Sequence, residues 1–422
     1  MRPATRRSLS LVTLLAAHAT GSCLDAWTPP VTTCTGPRCP DAGARTDAPG
    51  DAPSDVAEDR SPARCEGMSL LDLSSSQNES SCAVRCDGTV WCWGNNEWGQ
   101  LGDGTLESRS SPVRVLGLGG PATAVSVGHS ATCAVAGGAA WCWGENTDGQ
   151  LGDGTRTERS TPSRVVGIEG AVVAVAAGGT HACALVADGS LWCWGGNRNG
   201  ALGDGTVVPR LRPVAVPSLR GAVAEVVAGQ YHTCARLRDG DVRCWGMNMF
   251  GGLGDGSILD RATPVRTSLP AAAVALASTS NHACAVLDDG TVWCWGYNSD
   301  GAVSRSLSNH PTPIAVPLGG RRALAVTTGQ RHTCAIVEGA GLLCWGRNDT
   351  GQVGDGSTMR RLAPVAATAL DGDVRRVSAG VEFSCAALVD GRARCVGGGS
   401  RGQLGNNAFE GSLTPVTVAL PP

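Results

Sequence analysis

The feature that most limits what this chain can become is a cysteine that returns every 50 or 51 residues, at Cys92, Cys142, Cys193, Cys244, Cys294, Cys344 and Cys395. Nine or ten residues ahead of each stands a second cysteine, in every copy followed by alanine. Behind it come an Asn, a Gly-Gln-Leu-Gly-Asp-Gly-Thr-like stretch and a Pro-Val segment. Seven copies of a unit this long, made of short apolar runs broken by turns, specify a ring of β-blades rather than stacked helix pairs. Composition agrees, because 59 glycines, 23 prolines and only 4% aromatic residues suit a turn-dense β protein.

The turns fix the pairing of the cysteines. In the third unit Ala187-Asp188-Gly189 has the length and the terminal glycine of a type I turn with a G1 bulge, which sets Leu185 opposite Leu191 and Cys183 opposite Cys193. The second unit is one residue shorter, with Gly137-Gly138 at the turn, and that deletion still sets Cys133 opposite Cys142. Opposed residues of antiparallel strands lie within disulfide reach. Seven bonds are therefore expected: Cys82–Cys92, Cys133–Cys142, Cys183–Cys193, Cys234–Cys244, Cys284–Cys294, Cys334–Cys344 and Cys385–Cys395. Cys65 with Cys86 and Cys34 with Cys39 are further candidate pairs, leaving Cys23 odd. Such a framework implies an oxidising compartment.

Gly229-Gln230-Tyr231-His232-Thr233-Cys234-Ala235, Cys244-Trp245-Gly246 and Leu253-Gly254-Asp255-Gly256 resemble the regulator-of-chromosome-condensation repeat, and the likeness runs through most of the chain. The resemblance implies an all-β, seven-bladed β-propeller. The family's members include a nuclear exchange factor, a plant photoreceptor and a secreted bacterial inhibitor of β-lactamases, so the fold alone does not select a function; binding through a rigid face is what they share. Unit five departs from the pattern at Gly301-Ala302-Val303-Ser304, and unit seven reads Cys395-Val396-Gly397 without the tryptophan. The first unit, from Met68, has no Pro-Val segment before it, whereas the chain ends in one near Pro415. The C-terminal strand is accordingly expected to complete the first blade.

Residues 1–22 carry three arginines, an apolar run from Leu9 to Ala17 too short to span a bilayer, and then small residues, as an export signal does. Thr20-Gly21-Ser22-Cys23 resembles a bacterial lipoprotein signal, which makes Cys23 a lipidation candidate. Residues 23–64, rich in Pro, Ala, Asp and Thr, read as a linker with a coil reach of about 35 Å, and residues 65–422 as the propeller. The formal charge is -3, every basic residue is arginine, and removal of the leader takes away Arg2, Arg6 and Arg7 but no acid. That balance excludes a phosphate-tracking nucleic-acid surface, and the missing lysine excludes Schiff-base and P-loop chemistry.

Candidate sites divide between scaffold and surface. The tryptophans of Trp-Cys-Trp, and His181, His232, His282 and His332 two residues before their cysteines, recur at fixed repeat positions and read as packing rather than as ligand platforms or a ring of metal ligands. Asp103, Asp153, Asp204, Asp255 and Asp355 each bring one carboxylate where calcium needs six to eight oxygens, so turn formation explains them. Zinc spacing, nucleophile elbows and paired-carboxylate motifs are absent from the sequence. No cofactor, no metal and no catalytic residue is expected. Trp98, Tyr231, Met249, Phe250, Tyr297, Arg331 and Phe383 break the repeat, and their residue types are enriched in protein interfaces. The reading is an exported, lipid-anchored monomer in the cell envelope or outside it. It binds an extracellular or envelope protein, as an inhibitor, adhesin or scaffold, and touches membrane only through its lipid. The alternative is an exported enzyme or carbohydrate-binding protein that uses the central opening.

Overall fold

The computed structural model describes residues 70–75, 78–370 and 372–421. The predicted leader and linker, together with Cys23, Cys34, Cys39 and Cys65, lie outside them; Cys86 is itself disulfide-bonded. The described residues form seven four-stranded antiparallel sheets, each laid down in chain order. In the first blade the strands are Leu70–Ser75, Ser80–Arg85, Val90–Gly94 and Arg109–Arg114; in the seventh they are Val374–Ala379, Phe383–Leu388, Ala393–Gly397 and Ser412–Thr417. The innermost strands of all seven blades line the central axis. Helix is confined, among the described residues, to two single 3-10 turns, Pro217–Leu219 and Thr368–Leu370.

One expectation is corrected. The C-terminal strand, Ser412–Thr417, does not complete the first blade; it pairs with Ala393–Gly397 as the outermost strand of the seventh. The Pro-Val segment belongs to the unit it ends, because Val113 pairs with Cys92 of the same unit, and so does every later copy. The first blade is complete with its own four strands, and the ring closes with blades one and seven side by side, each keeping its own strands.

The hairpin registers follow the turn argument: Cys183 faces Cys193, Leu185 faces Leu191, and Cys133 faces Cys142 across the shorter turn. All seven expected disulfides are present, with Cα atoms 4.0 to 4.1 Å apart. Since strand side chains alternate between faces, Trp-Cys-Trp sends its cysteine to one side of the blade and both tryptophans to the other. Each interblade layer therefore stacks the disulfide of one blade against the second tryptophan of the next, as Cys82–Cys92 does against Trp143 and Cys234–Cys244 against Trp295. The closing layer is built alike, with Cys385–Cys395 against Trp93. Where unit seven has Val396 for tryptophan, the buried Ala369 and Leu370 of the 3-10 turn share the layer with it.

Neighbouring blades are also clamped by the loop before the outermost strand. Trp143 Nε1 donates to the Gln100 carbonyl of the preceding blade at 2.8 Å, and Trp93 Nε1 donates to the Gln403 carbonyl of blade seven at 2.9 Å. The closing junction adds polar contacts of its own. Ser75 N–H donates to Ser378 Oγ at 2.8 Å, Arg376 pairs with Asp72 at 3.4 Å, and Gln403 Nε2 donates to Glu79 Oε1 at 3.3 Å.

The outer edges are guarded by the prolines. In blade one Val113 opposes Cys92 and Arg109 opposes Gly94, so Ser110 to Pro112 bulge past Trp93 alone. A proline there loses no ladder bond and blocks further strand addition.

Candidate functional site

Three scaffold features were open to a functional reading, and each is internally engaged. The axial recess, about 190 Å³, is lined by Ser, Thr, Ala, Val and Gly of the inner strands. Its serines are engaged within the ring: Ser74 Oγ accepts from Val127 N–H at 3.0 Å, Ser126 Oγ accepts from Ala177 N–H at 3.0 Å, and Ser278 Oγ lies 2.9 Å from His232 Nε2. The described residues that line it include no carboxylate, imidazole or aromatic side chain.

The four repeat histidines are buried, and each reaches a hydroxyl of the next blade. His181 Nε2 lies 2.8 Å from Thr233 Oγ1, His282 Nε2 3.0 Å from Thr333 Oγ1, and His332 Nε2 2.8 Å from Ser384 Oγ. Thr233 donates its own proton to the Ala201 carbonyl at 2.8 Å, so the imidazole is the donor and is neutral with its proton on Nε2. Burial holds His181 and His282 down to about 3, and His232 and His332 to about 4. For three of the four the ring rests on the glycine three residues earlier, and a Cβ on Gly229 would stand 2.3 Å from His232 Cε1; before His282 that place is held by Thr279. That contact explains the Gly-x-x-His spacing.

The Gly-Asp-Gly aspartates close their own loops. Asp103 accepts from Thr105 N–H at 3.0 Å and Thr105 Oγ1 at 2.8 Å, and pairs with Arg109 at 3.4 Å. The pattern repeats at Asp153 with Arg159, Asp204 with Arg210, Asp255 with Arg261 and Asp355 with Arg361. Burial pulls these carboxyls upward, but the hydroxyl, amide and arginine donors outweigh it and leave all five below the ordinary range. In blade five a neutral pair stands instead, Ser304 Oγ and His310 Nε2 at 2.7 Å. Among the described residues no group of three His, Cys, Asp or Glu side chains is placed to hold a metal.

What varies from blade to blade is one face. The loop after the innermost strand and the loop before the outermost strand emerge at the same end, joined by backbone bonds such as Met247 N–H to the Tyr231 carbonyl, Tyr297 N–H to that of Asn281 and Arg347 N–H to that of Arg331, each 2.9 Å. Six of the seven sequence candidates lie on these loops. On blades four to six they meet: the Phe250 and Tyr297 rings pack edge-on with centroids 5.1 Å apart, and Arg331 covers Tyr297 at 5.7 Å. Met249, beside Phe250, is 58% exposed. Tyr231 opens on a recess of about 200 Å³ shared with Asp148, Thr180, Arg198 and Asn199. Trp98 is on the same face but on blade one, half-buried and apart from this cluster.

Phe383 is not a loop residue. It begins the second strand of blade seven at the register that His232 holds in blade four, is fully buried, and packs on Gly380 as His232 packs on Gly229. An apolar ring has replaced the imidazole there, so Phe383 is withdrawn as a partner contact. The tryptophans also divide. Trp93, Trp143, Trp194, Trp245, Trp295 and Trp345 are buried, whereas Trp91, Trp141, Trp192 and Trp293 are only half-buried. Sequence inspection missed Asp300, which accepts from Arg331 Nη1 at 3.2 Å and pairs with Arg360 Nη2 at 3.3 Å. The available signal is that residues 300 and 360 fall at repeat positions where the seven copies disagree.

Models of the regulator of chromosome condensation (RCC1) repeat match residues 87–135, 137–185, 188–236, 289–336 and 341–387, with a second model of the same repeat at 172–201, 223–251, 273–302 and 324–352. The chain belongs to the RCC1 repeat family. Among curated RCC1-type relatives, the ultraviolet-B receptor UVR8 of Arabidopsis thaliana is 30% identical over 193 residues, 44% of each chain. The mitochondrial RCC1 domain-containing protein RUG3 of the same plant is 37% identical over 81 residues, 19% of this chain and 18% of its own. The chain thus spans less than half the length of these relatives. Yeast RCC1 (Prp20), in its crystal structure with Kap60, superposes with a TM-score of 0.71 at 21% identity, covering 89% of this chain and 91% of that one. Human WBSCR16 gives 0.68 at 22% identity, covering 74% and 85%. These structures establish the RCC1 propeller fold.

Proposed function

We propose that this RCC1-repeat chain is an exported, non-catalytic binding module that holds a partner protein on its variable loop face. The observation that carries this reading is the Met249, Phe250, Tyr297 and Arg331 cluster, an aromatic and arginine patch built across three blades of a rigid ring. Tyr231 and Trp98 extend the face. Seven buried disulfides point to an oxidising environment outside the cytosol, in keeping with the leader-like residues 1–22 and with a lipid at Cys23 that tethers a monomer to the envelope. The structural neighbours add general support, since one is bound to Kap60 and the yeast protein Prp20p is described by its binding to Gsp1p and histones.

The test is capture. The mature chain with disulfides intact, immobilised as bait for envelope and extracellular proteins, should retain one protein saturably. Retention should fall at least tenfold when Tyr231 and Phe250 become alanine. Turnover of a small molecule, or retention of glycans and of no protein, would refute the reading.

A further inference from the structure

On the blade-six edge of the variable face two guanidinium groups share a single buried carboxylate. Arg331, just before the second strand, and Arg360, just before the outermost strand, converge on Asp300 of blade five. The Asp300 side chain is only 9% exposed, whereas the two arginines are 41% and 44% exposed. Elsewhere on these loops the acids equal or outnumber the arginines they pair with, as in Asp255 with Arg261 or Asp103 and Glu107 with Arg109. Here one carboxylate serves two guanidinium groups, and donors remain on their solvent side. Arg347, the third arginine of this edge, pairs with two acids, Asp349 at 2.8 Å and Glu382 at 3.7 Å, so the edge as a whole is balanced and the excess positive charge is local to Arg331 and Arg360.

The pair is also held in place before any partner arrives. Asp300 fixes one edge of Arg331 and the Tyr297 ring lies beneath it, with Phe250 edge-on behind. Little side-chain freedom is left to lose on binding. Next to that ring pair stands Met249, an exposed and adaptable apolar group. Across blades four to six the surface passes from the apolar Met249 and Phe250 to the half-exposed Arg331 and Arg360.

We propose that this edge is a carboxylate-recognition site, taking an aspartate or glutamate side chain of the partner between Arg331 and Arg360 while an adjacent apolar side chain of the same segment rests on Met249 and Phe250. The one positive charge by which Arg331 and Arg360 together exceed Asp300 matches a monoanionic carboxylate. A phosphate dianion would face Asp300, Asp349 and Glu382 with too little positive charge to offset them, in a chain whose net charge is already -3. The assignment rests on the protein-binding reading and specifies its partner chemistry.

The probe is an array of seven-residue peptides with Asp or Glu at the centre and apolar flanks, alongside Asn, Gln and phosphoserine counterparts, incubated with the intact chain. Acid-centred peptides should bind at least tenfold better than their amide counterparts. That preference should vanish in the R331Q/R360Q double variant, return in R331K/R360K, weaken in M249S and persist in R114Q, an exposed site outside this face. Equal binding of acid and amide peptides, no binding at all, survival of the preference in R331Q/R360Q, or a preference for phosphoserine would each overturn the proposal. Unchanged thermal unfolding of each variant separates binding loss from misfolding. If the capture experiment retains a protein through Tyr231 and Phe250 but R331Q/R360Q leaves that retention intact, the binding-module reading stands and the carboxylate site falls.

Discussion

The layers between blades and the loops at one end of them are built from the same seven repeats under opposite rules. In the layers the copies agree: a disulfide faces a tryptophan from the next blade at Trp143, Trp194, Trp245, Trp295, Trp345 and Trp93, and where tryptophan is missing the chain supplies other apolar groups at Val396 and Leu370. On the loop face they disagree, and equivalent positions hold Trp98, Asp148, Asn199, Phe250, Asp300, Thr350 and Arg401. Packing at native density tolerates few side chains at a buried position, while a loop held at both ends by rigid strands tolerates many. Stability and recognition therefore occupy separate residues, and each can be changed without the other.

The most damaging break of that separation is a cavity in a layer. Trp245→Ala removes a fully buried indole and its 2.8 Å bond to the Ala201 carbonyl. It should cost about 3 to 5 kcal/mol, read as a large fall in the thermal unfolding midpoint. Retention of the parent midpoint would show that the layers are not what holds the ring.

Acid acts on the same layers more gently. The neutral His232 is held to about 4 by burial, below its ordinary 6.5, so the unfolded chain takes the proton first. The stability that depends on neutral His232 is fully present above pH 6.5 and is lost as pH falls from there towards 4, by at most about 1.4 kcal/mol per pH unit. Unfolding measured between pH 7 and 4 should steepen accordingly, and His232→Gln should flatten the slope; an unaltered slope would mean that the imidazole is not held neutral. The smallest effect belongs to the face: Met249→Ser and Arg331→Gln should each shift stability by less than about 0.5 kcal/mol, and a larger loss in either would show that the loops brace the ring.

How far the sequence could be read followed the same division. Hairpin turns and the 50-residue period determine strand pairing locally, so the Cys183–Cys193 register and the shortened Cys133–Cys142 turn were legible in full. The phase of a cyclic repeat was not. Any 50-residue window is equally periodic, and only the pairing of Val113 with Cys92 shows that the Pro-Val strand ends its blade rather than opening the next one. Phe383 was misplaced because it was judged by residue type rather than by repeat position, which it shares with four histidines. Asp300 and Arg360 were passed over for the converse reason: both are common residue types, and their significance lies in where they vary and in a contact between blades that a single unit does not reveal.

Because blade boundaries coincide with repeat boundaries, the gene segment and the structural part are the same object. A duplicated or deleted 50-residue unit brings or removes an entire sheet together with the loop that clamps its neighbour, and no other blade must surrender a strand. Rings of different blade number are then reachable by single recombination events, and the chain could be reopened between any two blades, since every junction is a contact surface rather than a shared sheet.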